Sequence, residues 1–236
     1  MLLPILAAPF IGSFCGVLIT RVPQGQGVAW GRSACPACGH TLGPAEMVPI
    51  VSFCALRGRC RHCGAPIARV HLWVELAALG VAVWAALAGA DGALLWASCA
   101  LGWTLLTLGW IDAVCMLLPD MLTLPLIVAG LVEAFWLEPD ALTDRAFGAA
   151  IGYTFLWGLA LIYRRLRGRE GLGLGDAKLL AAGGAWVGAL LLPDVLLGAA
   201  LAGLAWALRR GRPDPAERLP FGPFLAAGIW GAWLYL

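Results

Sequence analysis

Apolar runs of membrane-crossing length alternate with short polar breaks along most of this chain, and one long polar stretch interrupts the series near its start. A bilayer core about 30 Å thick needs roughly 20 apolar residues wound as helix, and Leu2 to Thr20 is the first such run. No Lys or Arg precedes it and Arg21 follows it, whereas a cleaved signal peptide starts with a basic region. It is therefore expected to stay as a span with its N-terminus outside. Residues 21–69 are polar and cysteine-rich. Further spans are expected at about 71–90, 93–111, 121–137, 146–163, 177–192, 194–208 and 219–236. The breaks carry turn-forming residues: Gly89-Ala90-Asp91-Gly92, Glu138-Pro139-Asp140, Pro193-Asp194 and Gly211-Arg212-Pro213-Asp214-Pro215. The expected fold is an all-α polytopic membrane protein of about eight transmembrane helices. Residues 1–20 would be the first helix, 21–70 a loop, and 71–236 a seven-helix membrane domain.

Composition supports this class: 61% of the 236 residues are hydrophobic and 13% charged, against about 25% charged in soluble domains. Charge sets the orientation. With the 21–69 stretch in the cytoplasm, all sixteen Lys and Arg residues except Arg145 fall on that side, as the positive-inside tendency requires. Asp112, the 164–178 connection and the cysteine-rich loop then share one side of the membrane. A basic nucleic-acid-binding domain is not indicated, and no nucleic-acid partner is expected.

Four of the eight cysteines, Cys15, Cys54, Cys99 and Cys115, are scattered and read as small buried hydrophobes. The others form two knuckles, Cys35-Pro36-Ala37-Cys38 and Cys60-Arg61-His62-Cys63, with 21 residues between them. Four thiolates suit tetrahedral Zn²⁺, and Gly39 and Gly64 allow the tight backbone that wraps a metal. Disulfides are disfavoured on the cytoplasmic side. A structural zinc ribbon held by Cys35, Cys38, Cys60 and Cys63 is the reading, with disulfides or an iron centre as alternatives and His40 and His62 as bystanders.

Two carboxylates stand out for their setting. Asp112 ends an apolar span and is followed by six uncharged residues, and acids at membrane depth are functional candidates because they are costly unless paired or wet. Asp176 follows the glycine-rich run Gly171-Leu172-Gly173-Leu174-Gly175 at the mouth of the next apolar segment. That run is not a dinucleotide loop, since an Arg-rich helix end rather than a strand precedes it and the spacing is not G-x-G-x-x-G. Taken alone, Asp176 could be a helix cap or first-turn acid on a flexible turn. Together the two acids outline an intramembrane aspartyl site, in which one carboxylate activates water while the other, protonated, serves the carbonyl oxygen. Asp120 is expected to cap the following helix. Glu75 lies one turn inside a span, where it could snorkel, and Glu133 toward the outer half of its helix, where it would make a polar contact between helices. A transporter using intramembrane acids and broken helices, or a non-enzymatic zinc-ribbon membrane adaptor, would use some of the same features.

The ordered set of motifs resembles the type IV prepilin leader peptidases, the bacterial branch of the GxGD intramembrane aspartyl proteases. It runs through Gly12-Ser13-Phe14, Arg21-Val22-Pro23, both knuckles with Arg57-Gly58-Arg59, Val74-Glu75-Leu76, Ile111-Asp112 and Leu118-Pro119-Asp120. It ends with Gly173-Leu174-Gly175-Asp176-Ala177-Lys178 and Pro220-Phe221-Gly222-Pro223-Phe224. The resemblance implies Asp112 and Asp176 as the catalytic pair, prepilins or pseudopilins as substrates, and the bacterial inner membrane as the location with the site on the cytoplasmic side. It also implies S-adenosylmethionine as methyl donor for N-methylation of the new N-terminus, with Glu46 and Glu75 as acids available to a cationic donor. The chain departs from the family pattern at Val114, where many members have a second acid, at Gly16, where Asn is common, and at Glu46-Met47-Val48-Pro49 in the loop.

Overall fold

The computed structural model describes residues 2–28, 33–168, 173–210 and 219–235. Gly171 and Leu172 of the glycine-rich run, Arg32, Arg169 and the break at 211–215 lie outside the described residues. Among the described residues the chain is helical: α1 (Leu2–Arg21), α2 (Val51–Ala55), α3 (Arg69–Leu87), α4 (Gly92–Cys115), α5 (Asp120–Leu137), α6 (Leu142–Arg167), α7 (Leu174–Val187), α8 (Leu192–Arg209) and α9 (Gly222–Leu234). Six of these, α1, α3, α4, α5, α6 and α8, are long and apolar enough to cross a membrane. The other two expected spans form shorter helices, α7 with 14 residues and α9 with 13. At 1.5 Å per residue they reach only about 20 Å. α7 stops because Gly188 adopts φ +81°, a left-handed conformation that ends the helical hydrogen bonding at Gly188 N–H to Gly184 O. Large apolar side chains such as Phe10, Leu87, Trp136, Phe147 and Leu197 point outward, as suits contact with lipid rather than water.

The chain forms two compact units, residues 1–103 and 104–236, and the boundary falls within α4. In the first, α1 lies along α3. Their backbones approach closely at Gly12, where a Cβ would stand 2.7 Å from the Glu75 Cα and 2.8 Å from the Ala78 Cβ. One turn on, the Nδ1 of His71 occupies the space a side chain at position 16 would take, so Gly16 and His71 form a matched pair. Trp103 Nε1 donates to Ala78 O at 2.9 Å. Glu75 is neither snorkelling nor presented on a face. It is buried, and its Oε2 accepts the N–H of Ile50 at 2.7 Å, tying the cysteine-rich loop to α3 at a residue held at φ +62°. A buried acid must be hydrogen-bonded, and the loop backbone supplies the donor.

In the second unit α7 is the central helix, buried continuously from Leu179 to Val187. Lipid tails are as apolar as leucine, so helices in a bilayer associate through close packing of small residues and a few polar contacts. Gly148 and Gly152 of α6 face Gly184 and Leu180 of α7, where a Cβ on Gly148 or Gly152 would stand 2.7 Å from a backbone carbonyl oxygen. Gly130 of α5 meets Ala185 O in the same way, and Trp186 Nε1 donates to Leu126 O at 2.9 Å. On α9, Ile229 fills the hollow over Gly183, and Trp233 packs edge-on against Trp186 with ring centroids 5.1 Å apart.

Arg145, the one cation expected outside, is not a free loop charge. It is buried in the first turn of α6, paired with Glu133 of α5 and with Glu138, and its guanidinium lies 5.3 Å from the Trp233 ring centroid. The interhelical polar contact expected of Glu133 is thus an ion pair. Removing one partner leaves a buried charge uncompensated, which costs about 3–5 kcal/mol. Arg145→Met is expected to lower the thermal midpoint of the detergent-solubilised protein markedly, and adding Glu133→Gln should restore much of the loss. Equal midpoints for Arg145→Met and the wild type would contradict this role.

Candidate functional site

Asp112 sits in the last turn of α4 and is 6% exposed. Its Oδ2 accepts the backbone N–H of Gly222 at 2.8 Å, so the N-terminus of α9, where helix dipoles favour negative charge, meets the carboxylate directly. Only glycine fits there. A Cβ at position 222 would lie 2.7 Å from Oδ2 and 2.9 Å from Cγ of Asp112. Gly222 carried no assigned role in the sequence. The available signal was a glycine just before Pro223 at a helix start, which marks an N-terminus with free amides.

Asp176 lies in the first turn of α7, after Gly173 as N-cap, and stands ahead of the apolar run that begins at Ala177. Its backbone N–H bonds to Gly173 O at 3.2 Å. Burial pushes its carboxyl up to about 6, the negative charge of Asp112 adds to the rise, and the Gly173 backbone opposes it. The charge of Asp112 thus reaches Asp176 across the two helices. Gly175 makes room for the approach, since a Cβ there would stand 2.8 Å from the Leu118 Cβ.

Asp120 is not a helix cap. Pro119 holds the N-cap position of α5, no side chain caps it, and Asp120 instead pairs through Oδ1 with Lys178 Nζ at 2.5 Å.

The cysteines form the second feature. Both knuckles close alike: Cys35 N–H bonds to His40 O and Gly39 N–H to Cys35 O, and Cys60 N–H to Ala65 O and Gly64 N–H to Cys60 O. Gly39 and Gly64 take φ +70° and +72°, left-handed values that side chains resist. The four sulfurs of Cys35, Cys38, Cys60 and Cys63 all lie within 4.8 Å of one another, an arrangement able to hold a metal ion. Backbone amides of Cys38 and Ala37 pull the Cys35 thiol down to about 7, into the range where it is readily ionised. The His40 backbone lowers Cys38, but desolvation and the other sulfurs carry it up to about 11. A cleft of about 420 Å³ beside the knuckles is lined by His40, Glu46, Arg61 and His62. The two imidazoles lie 4.4 Å apart, and Glu46 Oε2 accepts the Gly43 N–H at 2.8 Å and lies 3.7 Å from His40 Nε2.

A family model for the bacterial peptidase A24 N-terminal domain matches residues 6–88, and one for the type IV leader peptidase family matches 99–208. The chain is 44% identical to a prepilin leader peptidase/N-methyltransferase of Burkholderia pseudomallei (strain K96243), over 92% of this chain and 80% of that protein. The chain belongs to the type IV leader peptidase family. Proteins of the same name from Dichelobacter nodosus and Pseudomonas aeruginosa are 38% and 36% identical, covering 95% and 100% of this chain and 88% and 90% of theirs. No solved structure matches it. This leader peptidase is thus a multi-pass membrane enzyme. The first family match contains both knuckles, the second contains Asp112 and Asp176, and Gly222 lies beyond either.

Proposed function

We propose that this enzyme cleaves the basic leader from type IV prepilins or pseudopilins at the cytoplasmic edge of the bacterial inner membrane, using Asp112 and Asp176 as an aspartyl dyad. The observation that carries the proposal is the placing of two acids on separate helices of one unit, with Gly222 N–H fixing Asp112 and the charge of Asp112 helping to raise Asp176. We assign the shared proton to Asp176, whose carboxyl is raised to about 6. Asp112 then takes a proton from water as the water oxygen attacks the scissile carbonyl, and Asp176 gives its proton to the carbonyl oxygen. As the tetrahedral centre collapses and the C–N bond breaks, the proton on Asp112 passes to the leaving amine, and a hydroxyl of the centre returns its proton to Asp176, which leaves the new carboxyl group and restores the starting state of the pair. A substrate with basic residues in the cytoplasm and an apolar helix in the bilayer would place its scissile bond at this depth. The peptidase site belongs to the helices from residue 71 onward, and residues 21–70 form a zinc-binding loop.

Zinc fits the cysteine cluster on geometric grounds. Four sulfurs about 2.3 Å from a tetrahedral Zn²⁺ stand about 3.8 Å apart, and Cys35 Sγ and Cys63 Sγ are separated by 3.8 Å. With four thiolates the site is closed, so its role is to fold the loop rather than to bind water.

For the methyl donor implied by the relatives' names, the cleft beside the knuckles supports a place. In the cleft by the knuckles, Glu46 would meet a sulfonium cation, Arg61 a carboxylate, and the His40 and His62 rings a planar base. Glu75, buried on the Ile50 N–H, is not among the residues lining that cleft. S-adenosylmethionine would supply a methyl group to the amino terminus exposed by cleavage.

The test is incubation of the purified protein in detergent with a prepilin, reading the masses of both products with and without S-adenosylmethionine. Release of the leader, and gain of one methyl group by the mature chain when the donor is present, are expected. An intact prepilin would overturn the peptidase reading. A cleaved product left unmethylated at saturating donor would overturn the methyl transfer alone.

A further inference from the structure

The segment that follows Asp112 touches the turn that carries Asp176 at two points. Leu118 fills the hollow over Gly175, its Cβ 2.8 Å from where a Cβ on that residue would stand. Two residues on, the Asp120 carboxylate meets the ammonium of Lys178 at 2.5 Å. Leu118 and Asp120 lie six and eight residues after Asp112, and Gly175 and Lys178 flank Asp176 by one and two. Each acid therefore lies on a short stretch of backbone anchored to the stretch bearing the other.

Exposed ion pairs are ordinarily worth little to stability, and both partners here keep some solvent contact, with 25% of the Lys178 side chain and 58% of the Asp120 side chain exposed. Their place gives them a different use. α7 presents no side-chain cap at its start, so the Asp176 turn gains nothing from capping and relies on contacts from elsewhere. Catalysis by a dyad needs the two carboxylates held to a fraction of an ångström, and a 1 Å displacement can cost about 10²-fold in rate.

We propose that Asp120 and Lys178 are a positioning pair, which, with the Leu118–Gly175 contact, holds the Asp176 turn in register with Asp112. The inference rests on the aspartyl-dyad reading. Neither residue touches substrate, and loss of the pair lets the dyad open without exposing the core.

The experiment measures prepilin cleavage by the full-length protein in detergent for Asp120→Asn, Lys178→Met, the double variant and Lys178→Arg, with Asp176→Asn alongside. Asp120→Asn and Lys178→Met are expected to lower kcat about 10- to 100-fold with KM and thermal midpoint near wild type, because the substrate-binding surface is intact. The double variant should be no slower than the worse single, since both remove one interaction. Lys178→Arg, which keeps the charge, should recover most of the rate lost in Lys178→Met. Values of kcat within twofold of wild type for both singles would overturn the proposal, as would additive losses in the double variant. Loss of thermal stability in Asp120→Asn that matches the loss of rate would show a merely structural pair and overturn it too. Asp176→Asn separates the two failures: if it is inactive while Lys178→Met is normal, the dyad stands and the positioning pair does not.

Discussion

Asp112→Asn is expected to reduce prepilin cleavage by about 10³-fold or more, with zinc content and thermal midpoint unchanged. Asn keeps the shape of the side chain and can still accept the Gly222 N–H through its carbonyl oxygen, so the 2.8 Å contact survives and only the proton chemistry is removed. General acid–base groups contribute about 10²–10⁴-fold each. Combining Asp112→Asn with Asp176→Asn should be little worse than the single change, because groups that act as one unit lose their effect together. Gly222→Ala should also be severely impaired although it removes no ionisable group, since its Cβ would stand 2.7 Å from Asp112 Oδ2. Activity should depend on pH in the same terms. The working form carries one proton on the pair, so kcat/KM falls when both acids are protonated and again when both are ionised. With Asp176 held up to about 6, the alkaline limb is expected near pH 6, well above an ordinary aspartate, and is read from the cleavage rate between pH 4 and 9. A limb near pH 4 would contradict the shared proton.

Loss of metal should have the second largest effect, and a different signature. The loop of residues 33–68 has two isolated β-bridges, Ala34 with Thr41 and Arg59 with Pro66, one 3-10 turn at Pro44–Glu46 and one short α-helix, too little to order it alone. Binding energy at a structural zinc site, about 10–16 kcal/mol in zinc-finger peptides, is folding energy. Elemental analysis of the purified protein is expected to find one zinc per chain, and Cys35→Ser combined with Cys60→Ser should abolish it. The zinc-free loop should become sensitive to limited proteolysis while the helices stay protected. Acidification should release the metal by protonating the thiolates, with Cys38, carried up to about 11, the costliest to ionise. A zinc content unchanged in the double variant would contradict the assignment.

What the sequence disclosed divides by range. The knuckles were legible because each closes within six residues, and the glycines at 39 and 64 mark the left-handed turns in which they end. Membrane spans were legible because bilayer thickness sets their length, but hydropathy alone does not distinguish a lipid-facing helix from one buried in protein. α7 was therefore read as longer than its 14 residues. The Gly148/Gly152 and Gly184/Gly188 spacings are small-residue patterns that could have marked α7 as a packed helix. Asp120 was misread because an acid at a helix start looks like a cap, while its partner Lys178 lies 58 residues away. Glu75 was misread for the same reason, and the ion pairs of Arg145 were not foreseen. Their partners, Ile50 in the loop and Glu133 on a neighbouring helix, are chosen by tertiary contact, not by local pattern. Asp112 and Asp176 were singled out by setting, and Gly222, which holds one of them, was not.

The dyad is tested most directly by prepilin cleavage with purified Asp176→Asn protein whose zinc content and thermal midpoint equal those of the wild type. The account predicts that the leader stays attached after the wild-type enzyme has released all of it, and that the variant still binds the substrate. Cleavage by that folded variant at a rate near wild type would contradict the account, leaving the turn at Gly173 and Gly175 as a hinge and the carboxylate of Asp176 without a part in the chemistry.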